Sequence, residues 1–396
     1  MTPFLVIMNF CSFYNFSLYT IYLYIKLYVT GFMKKEIDPW SSDLLKNYQH
    51  LIKEFGLFEF DFKDKELDSY FVRRNIIIAH RNFEKVVARI KANKPFINMT
   101  GIASSGRVHL GHKVDIDVSL FLQRLGAINY FCVADLDAYL SRPDEKIRSL
   151  ENAKKNAVEN LAHAFALGIE PKKSYAQSNK PKRYYEFSFE ISKKITQNTY
   201  KAIYGHTDLG KISSVLLQIA DILHPQLKEF EGKMPSVTGI GLDQDPHARL
   251  TRDVMQRLSY PLEVPSFLYF SHQAGLNGNL KMSSSEPDNT IFLDDDEHDV
   301  KRKISRALTG GRNTSEEQKK LGGEPDKCMV YELYKYHFTD ESRFNEIRKT
   351  CISGERTCGG CKKECIVFFQ KMLKEHQEKY KSMLSVAKEV VFGKMK

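Results

Sequence analysis

Residues 96–292 alternate short apolar runs with longer stretches of helical apolar spacing, and this alternation restricts the possible folds more than any other feature. Pro95-Phe96-Ile97-Asn98-Met99 and residues 128–134, 174–177 and 237–242 read as strands. Residues 113–125 place Val114, Val118, Phe121, Leu122 and Leu125 on one helical face. Residues 151–167 form a further helix that Gly168 closes. Such alternation predicts an α/β, Rossmann-like domain: a parallel sheet covered by helices. Ligands of these sheets bind beyond the carboxyl ends of the strands. Asp135, Asp137, Gln218, Asp243 and Gln244 stand at or near such ends, which makes them candidate binding residues.

Two motifs lie at opposite ends of this region. Ser104-Ser105-Gly106-Arg107-Val108-His109-Leu110-Gly111-His112 has the form His-x-Gly-His behind a small-residue loop. Residues 100–106 read as a turn leading into a helix, with His109 and His112 on one side of its start. A helix N-terminus of this kind offers free backbone N–H groups and a positive dipole end. Lys281-Met282-Ser283-Ser284-Ser285 follows Gly275 and Gly278 on a loop. Either stretch alone reads as an ordinary solvated loop. Together, in this order and about one domain apart, they resemble the two ATP-binding signatures of class I aminoacyl-tRNA synthetases. The resemblance implies attack by an amino-acid carboxylate on the α-phosphate of ATP, with Mg2+ accompanying the nucleotide. It assigns catalysis to His109, His112, Lys281 and Ser283. It assigns ATP binding to Ser105, Gly106, His109, Gly111, His112, Lys281, Met282, Ser283, Ser284 and Ser285. Gly111 would let the adenine or ribose approach the backbone, and Lys281 would follow the phosphates as their charge develops.

The stretch Asp243-Gln244-Asp245-Pro246-His247-Ala248-Arg249-Leu250-Thr251-Arg252-Asp253 is similar to that of tryptophanyl-tRNA synthetases. The related tyrosyl enzymes differ after Asp-Gln. Ile37-Asp38-Pro39-Trp40, Ile203-Tyr204-Gly205, Gln218 before Ala220-Asp221-Ile222-Leu223-His224-Pro225, and Thr309-Gly310-Gly311-Arg312 resemble the archaeal and eukaryotic type. The resemblance spans about residues 36–390. It implies that Asp137, Gln218, Asp243 and Gln244 bind substrate, with Gln244 bridging amino acid and nucleotide. The chain departs from eukaryotic relatives where a tyrosine and a glutamine hold the indole: Met99 and Cys132 stand there. Asp137 is the candidate reader of the indole nitrogen. A second departure is Ala103-Ser104-Ser105, where proline is usual.

Residues 293–396 change character, from Asp294-Asp295-Asp296-Glu297 through a basic run to a long charged helix from about Ile366. They read as a separate all-helical domain, and the resemblance makes it the anticodon-binding domain. Cys328, Cys351, Cys358 and Cys361 have the form Cys-x22-Cys-x6-Cys-x2-Cys, a density that suits a soft metal or an iron–sulfur cluster. The full spacing resembles that of tryptophanyl synthetases carrying a 4Fe–4S cluster, with tetrahedral Zn2+ the alternative. Free buried cysteines are the plain reading.

The chain has 396 residues, enough for two or three domains, and 42% hydrophobic residues, ordinary for a soluble protein. Its net charge of +10 suits a polyanionic partner. Seven cysteines do not make a disulfide scaffold. Residues 1–32 form an apolar leader, long enough to span a bilayer, with Lys26 its only charge. Met33-Lys34-Lys35-Glu36 reads as the natural start, so the leader is expected to be non-native or disordered, with a membrane anchor the alternative, and no membrane partner is expected. The expected organisation is residues 33–95 helical and hairpin, 96–292 catalytic and 293–396 helical. The expected protein is a cytoplasmic homodimer acting on L-tryptophan, ATP and tRNA(Trp). A cytidylyltransferase-like nucleotidyl transferase also uses His-x-Gly-His, but needs no helical domain of this size. A degenerate RNA-binding scaffold would not need His109, His112 and Lys281.

Overall fold

The computed structural model describes residues 48–205 and 207–393. The apolar leader and Ile37-Asp38-Pro39-Trp40 lie outside the described residues. The chain opens with α1 (Tyr48–Glu54), β1 (Phe58–Glu59), α2 (Tyr70–Arg73), β2 (Ile77–Arg81) and α3 (Glu84–Lys91). The Rossmann-like part follows as β3 (Phe96–Ala103), α4 (Leu110–Arg124), β4 (Ala127–Ala134), α5 (Asp135–Ser141), α6 (Leu150–Leu167) and β5 (Ser174–Ala176). It continues through α7 (Lys182–Ser192), α8 (Gln197–Tyr204), α9 (Leu209–Leu223), β6 (Ser236–Gly241), α10 (Asp245–Arg257) and β7 (Ser266–Phe270). Helices α11 (Glu297–Arg306), α12 (Ser315–Leu321), α13 (Met329–His337), α14 (Glu341–Ile352) and α15 (Cys358–Phe392) complete it.

The sheet has seven strands in the order β1-β2-β7-β6-β3-β4-β5. The strands β3 to β7 pair in parallel, as buried apolar runs between helices should. Strand β2 joins β7 antiparallel and β1 joins β2, so residues before the Rossmann-like part extend its sheet. The chain winds from β3 outward to β4 and β5, then returns to place β6 on β3's other side. That reversal opens a crevice at the carboxyl ends of β3 and β6. Both motifs and Asp243-Gln244 converge there.

Two sequence boundaries move. Strand β3 runs on to Ala103, so the expected turn at residues 100–106 contracts to the loop after it. Pairing with β4 over the whole length, from Phe96–Ala127 to Ala103–Ala134, carries the strand through Gly101. A side chain at Gly101 would stand 3.0 Å from the Cys132 Cβ. The long charged helix begins at Cys358, ahead of the expected Ile366, because Thr357 caps it by accepting from Gly360 N. This helix of 35 residues lies along α6, so its apolar face is buried against the catalytic part.

Candidate active site

His109 is the N-cap of α4 and His112 its third residue. His109 Nδ1 accepts from His112 N at 3.4 Å, and His112 Nδ1 accepts from His109 N at 3.3 Å. The reciprocal arrangement is a capping box made of imidazoles. The rings stack with centroids 3.8 Å apart. An imidazole whose Nδ1 accepts carries its proton on Nε2, so each ring keeps one donor for a ligand. Burial, with the charge of Lys281, lowers the pKa of His112 to about 4. Burial, His112 and Lys281 together hold His109 well below the usual histidine range. Both rings are therefore neutral at pH 7. Gly111 is required because a Cβ there would stand 2.9 Å from the His109 ring. The His109 ring takes the space over Gly111 in which the sequence reading put the nucleotide.

The second motif is tied to the first by backbone. Leu110 N donates to Ile291 O at 3.0 Å, and Leu293 N donates to Val108 O at 2.9 Å. Met282 is buried and its N–H donates to Gln273 O, which anchors the loop beneath its serines. Thr290 Oγ1 donates to Ser283 O at 2.7 Å. Lys281, one-third exposed, reaches Asp243 Oδ2 at 3.0 Å, and His272 Nε2 lies 2.8 Å from Asp243 Oδ1. Burial alone would raise Asp243, but His272 and Lys281 outweigh it and hold the carboxyl far below its ordinary range. A side chain at Gly241 would stand 2.3 Å from the His272 ring, so glycine there permits the pair.

These groups line one cleft of about 390 Å³. Asp137, Gln218, Gln244 and Ser105 line it too, along with His109, His112, Lys281 and the serines. The same cleft is lined by Met99, Cys132, Gln177 and Asp221. Gln244 Nε2 donates to Asp243 Oδ2 at 3.1 Å. Asp137 accepts from the Ser214 hydroxyl, and burial raises its pKa against Ser214 and Arg142.

The family model of class I tRNA synthetases for tryptophan and tyrosine matches residues 91–374. The tryptophan–tRNA ligase of Methanocaldococcus jannaschii is 41% identical, over 91% of this chain and 99% of that protein. That of Hyperthermus butylicus is 39% identical over 87% and 94%. The crystal structure of tryptophanyl-tRNA synthetase from Aeropyrum pernix superposes with a TM-score of 0.81 at 37% identity, covering 89% of this chain and 98% of that one. This chain belongs to the class I tryptophanyl and tyrosyl tRNA synthetases. A tryptophanyl-tRNA synthetase from Encephalitozoon cuniculi bound to tryptophan has a TM-score of 0.76 at 27% identity, covering 87% of this chain.

Polar residues of the synthetase cleft that no sequence motif assigns include Asp115, Gln177, Asp221 and His272. Asp221 had a visible signal, because it follows Gln218 by three residues and so shares its helical face. Asp115 bears the same relation to His112 on α4. Burial raises Asp115 to about 7, with Lys281 opposing and Asp243 reinforcing. His272 and Gln177 sit among residues without a motif, and only the fold brings them in.

In the helical part of the synthetase, Cys328 caps α13, Cys351 lies in the last turn of α14, and Cys358 and Cys361 lie in the first turn of α15. The four line one small pocket with Thr309, Arg356 and Thr357. Glycines make room for them: a Cβ at Gly311 would stand 2.3 Å from Cys358 Sγ, and one at Gly323 2.8 Å from Cys351 Sγ. Burial pushes the Cys361 thiol up to about 12, against the Arg356 guanidinium. Among the described residues, the three-member group of metal-capable atoms within 4.8 Å of one another is Asp296, His298 and Asp299, not the cysteines. Thiolates around one zinc ion would lie about 3.8 Å apart, given Zn–S bonds of about 2.3 Å. The thiols are thus neighbours on one pocket, more widely set than a zinc site.

Proposed function

We propose that this synthetase is a tryptophan–tRNA ligase. A carboxylate oxygen of L-tryptophan attacks the α-phosphorus of ATP, the bond to the bridging oxygen breaks, and pyrophosphate leaves. The 3′-terminal ribose hydroxyl of tRNA(Trp) then attacks the adenylate carbonyl and AMP leaves. The observation that carries this reading is the joining of the imidazole-capped helix start to the Lys281 loop across the sheet reversal. The 41% identical relative supports tryptophan as the amino acid.

Residue roles follow from the chemistry. The Nε2–H groups of His109 and His112 would donate to phosphate oxygens as neutral donors, with the positive end of the α4 dipole behind them. Lys281 supplies mobile positive charge as pyrophosphate separates, and Asp243 parks it beforehand. Ser105 would cover the nucleotide, and Ser283, Ser284 and Ser285 would offer hydroxyls to the leaving phosphates, whereas Gly106 does not line the cleft. Gln244 stands between nucleotide and amino acid. Gln218 and Asp137 suit the amino acid's ammonium group. Mg2+ would accompany the triphosphate.

Residues 293–396 would hold the anticodon, as a helical body braced on α6 by α15. Cys328, Cys351, Cys358 and Cys361 would hold a 4Fe–4S cluster that locks three helices together. Zn2+ held by the same four thiolates is the alternative. A homodimeric, cytoplasmic enzyme agrees with the family. No helix among the described residues is long and apolar enough to cross a membrane. Charging tests the ligase reading: tRNA(Trp) transcript should accept tryptophan and tRNA(Tyr) transcript should accept nothing. Charging of tRNA(Tyr) with tyrosine would replace it.

A further inference from the structure

The segment between β7 and the Lys281 loop is gripped by a helix of the helical part. Residues 271–274 each meet a side chain of α13. Tyr336, 1% exposed, donates from Oη to His272 O at 3.0 Å and shares the proton with Ser271 O at 3.1 Å. The same oxygen lies 2.7 Å from Ser271 Oγ. His337 Nε2 donates to Gln273 Oε1 at 2.9 Å. Burial and Lys113 hold that imidazole well below the usual histidine range, so the bond joins two neutral groups. The Ala274 N–H faces the Glu332 carboxylate. Helix α13 is itself pinned. Arg74 Nη1 donates to Phe338 O at 2.7 Å, Lys335 O at 3.0 Å and Tyr334 O at 3.2 Å, and its guanidinium lies 3.8 Å from the centre of the Phe344 ring.

The gripped segment carries the far side of the Lys281–Asp243 pair. His272 Nε2 lies 2.8 Å from Asp243 Oδ1, while Lys281 Nζ holds Oδ2. Gln273 O accepts from Met282 N at 2.8 Å, one residue past the lysine. The His272 ring has no slack, because a Cβ at Gly241 would stand 2.3 Å from it. Its aim is therefore set by its backbone, and that backbone is set by Tyr336. Without the hydroxyl, the Ser271 and His272 carbonyls lose this donor. Ser271 is buried, and an acceptor left unpaired away from water is costly enough to move the segment that bears it. A shift of about 1 Å in a group that serves the reacting centre costs on the order of 100-fold in rate.

We infer that Tyr336 is a positioning residue for amino-acid activation: its hydroxyl fixes the His272 carbonyl, hence the His272–Asp243 pair, hence the place where Lys281 waits for the triphosphate. This rests on the ligase reading above. Tyr336 does not line the cleft, so it acts through Lys281 and touches no substrate. The helical part thereby shapes the adenylation site without tRNA, in addition to any hold on the anticodon.

The test is Tyr336→Phe, alone and combined with Lys281→Ala, in single-turnover adenylation without tRNA. The ring stays and only the hydroxyl goes. Against the parent, the change should slow adenylation by about tenfold or more, with the Kd for tryptophan unchanged. In Lys281→Ala protein the same change should cost about twofold or less, because the group that Tyr336 aims is gone. A rate within about twofold of the parent in the single variant would overturn the inference. Equal factors in the two backgrounds would overturn it as well, since a merely structural loss acts whether or not the lysine is present. If Tyr336→Phe does not fold, Ser271→Ala, which removes the hydroxyl's nearest partner, goes through the same cycle with the same expected outcomes. Absence of tryptophan-dependent adenylation in the parent would instead refute the ligase reading itself.

Discussion

Lys281 Nζ rests 3.0 Å from Asp243 Oδ2, so the mobile charge of the second motif is held at the carboxyl end of β6 before any phosphate arrives. The pair is half-sheltered, since the carboxylate is buried and the ammonium one-third exposed. A triphosphate can therefore draw the lysine off without a charge being stranded in the core, because His272 stays on Oδ1.

Replacing Lys281 with alanine should lower the rate of adenylate formation by about 100-fold or more, the usual cost of a lost transition-state donor. Tryptophan binding, read by fluorescence quenching, should stay unchanged. Pre-steady-state adenylation within about threefold of the parent would remove Lys281 from the mechanism.

Asp115 should cost stability. Its folded pKa of about 7 lies above the ordinary carboxyl value, so the unfolded chain binds fewer protons than the folded one between about pH 4 and 7. The penalty grows through that window and is complete above it. Asp115→Asn should therefore raise Tm at pH 8 and leave it nearly unchanged at pH 4. Calorimetry at the two pH values decides, and an equal shift at both would show a packing effect instead.

The cysteine pocket predicts a split between the two half-reactions. Protein purified without oxygen should be brown, with about four irons and four sulfides per chain. Cys358→Ser should lower tRNA charging more than ATP–pyrophosphate exchange, because the four thiols lie between α13, α14 and α15 and not in the cleft. Colourless protein with one zinc per chain would reject the cluster and keep the bracing role. Metal-free protein with normal charging would reject both.

Much of this was legible in the residues, and the exceptions have physical causes. Buried parallel strands leave apolar runs, so β4 and β6 lie where the pattern puts them. Gly168 ends α6 in the left-handed conformation, at a φ of 117°. His109 and His112 sit at a helix start as their spacing requires. Strand β3 outruns its apolar stretch because Thr100 and Gly101 look like a turn, and cross-strand pairing overrides that local preference. Asp221 stands in the sequence only within Ala220-Asp221-Ile222-Leu223-His224-Pro225, and its partners Tyr175, Gln177 and Tyr184 arrive from elsewhere in the fold. His272 was invisible for the same reason: only the sheet brings β7's end beside Asp243.

Amino-acid-dependent ATP–pyrophosphate exchange, run with each of the twenty amino acids, tests the central claim most directly. The ligase reading, with the neutral imidazole pair and the Lys281–Asp243 latch as its nucleotide machinery, predicts exchange with tryptophan alone. Exchange with tyrosine at comparable kcat/KM, or no exchange with any amino acid, would contradict it.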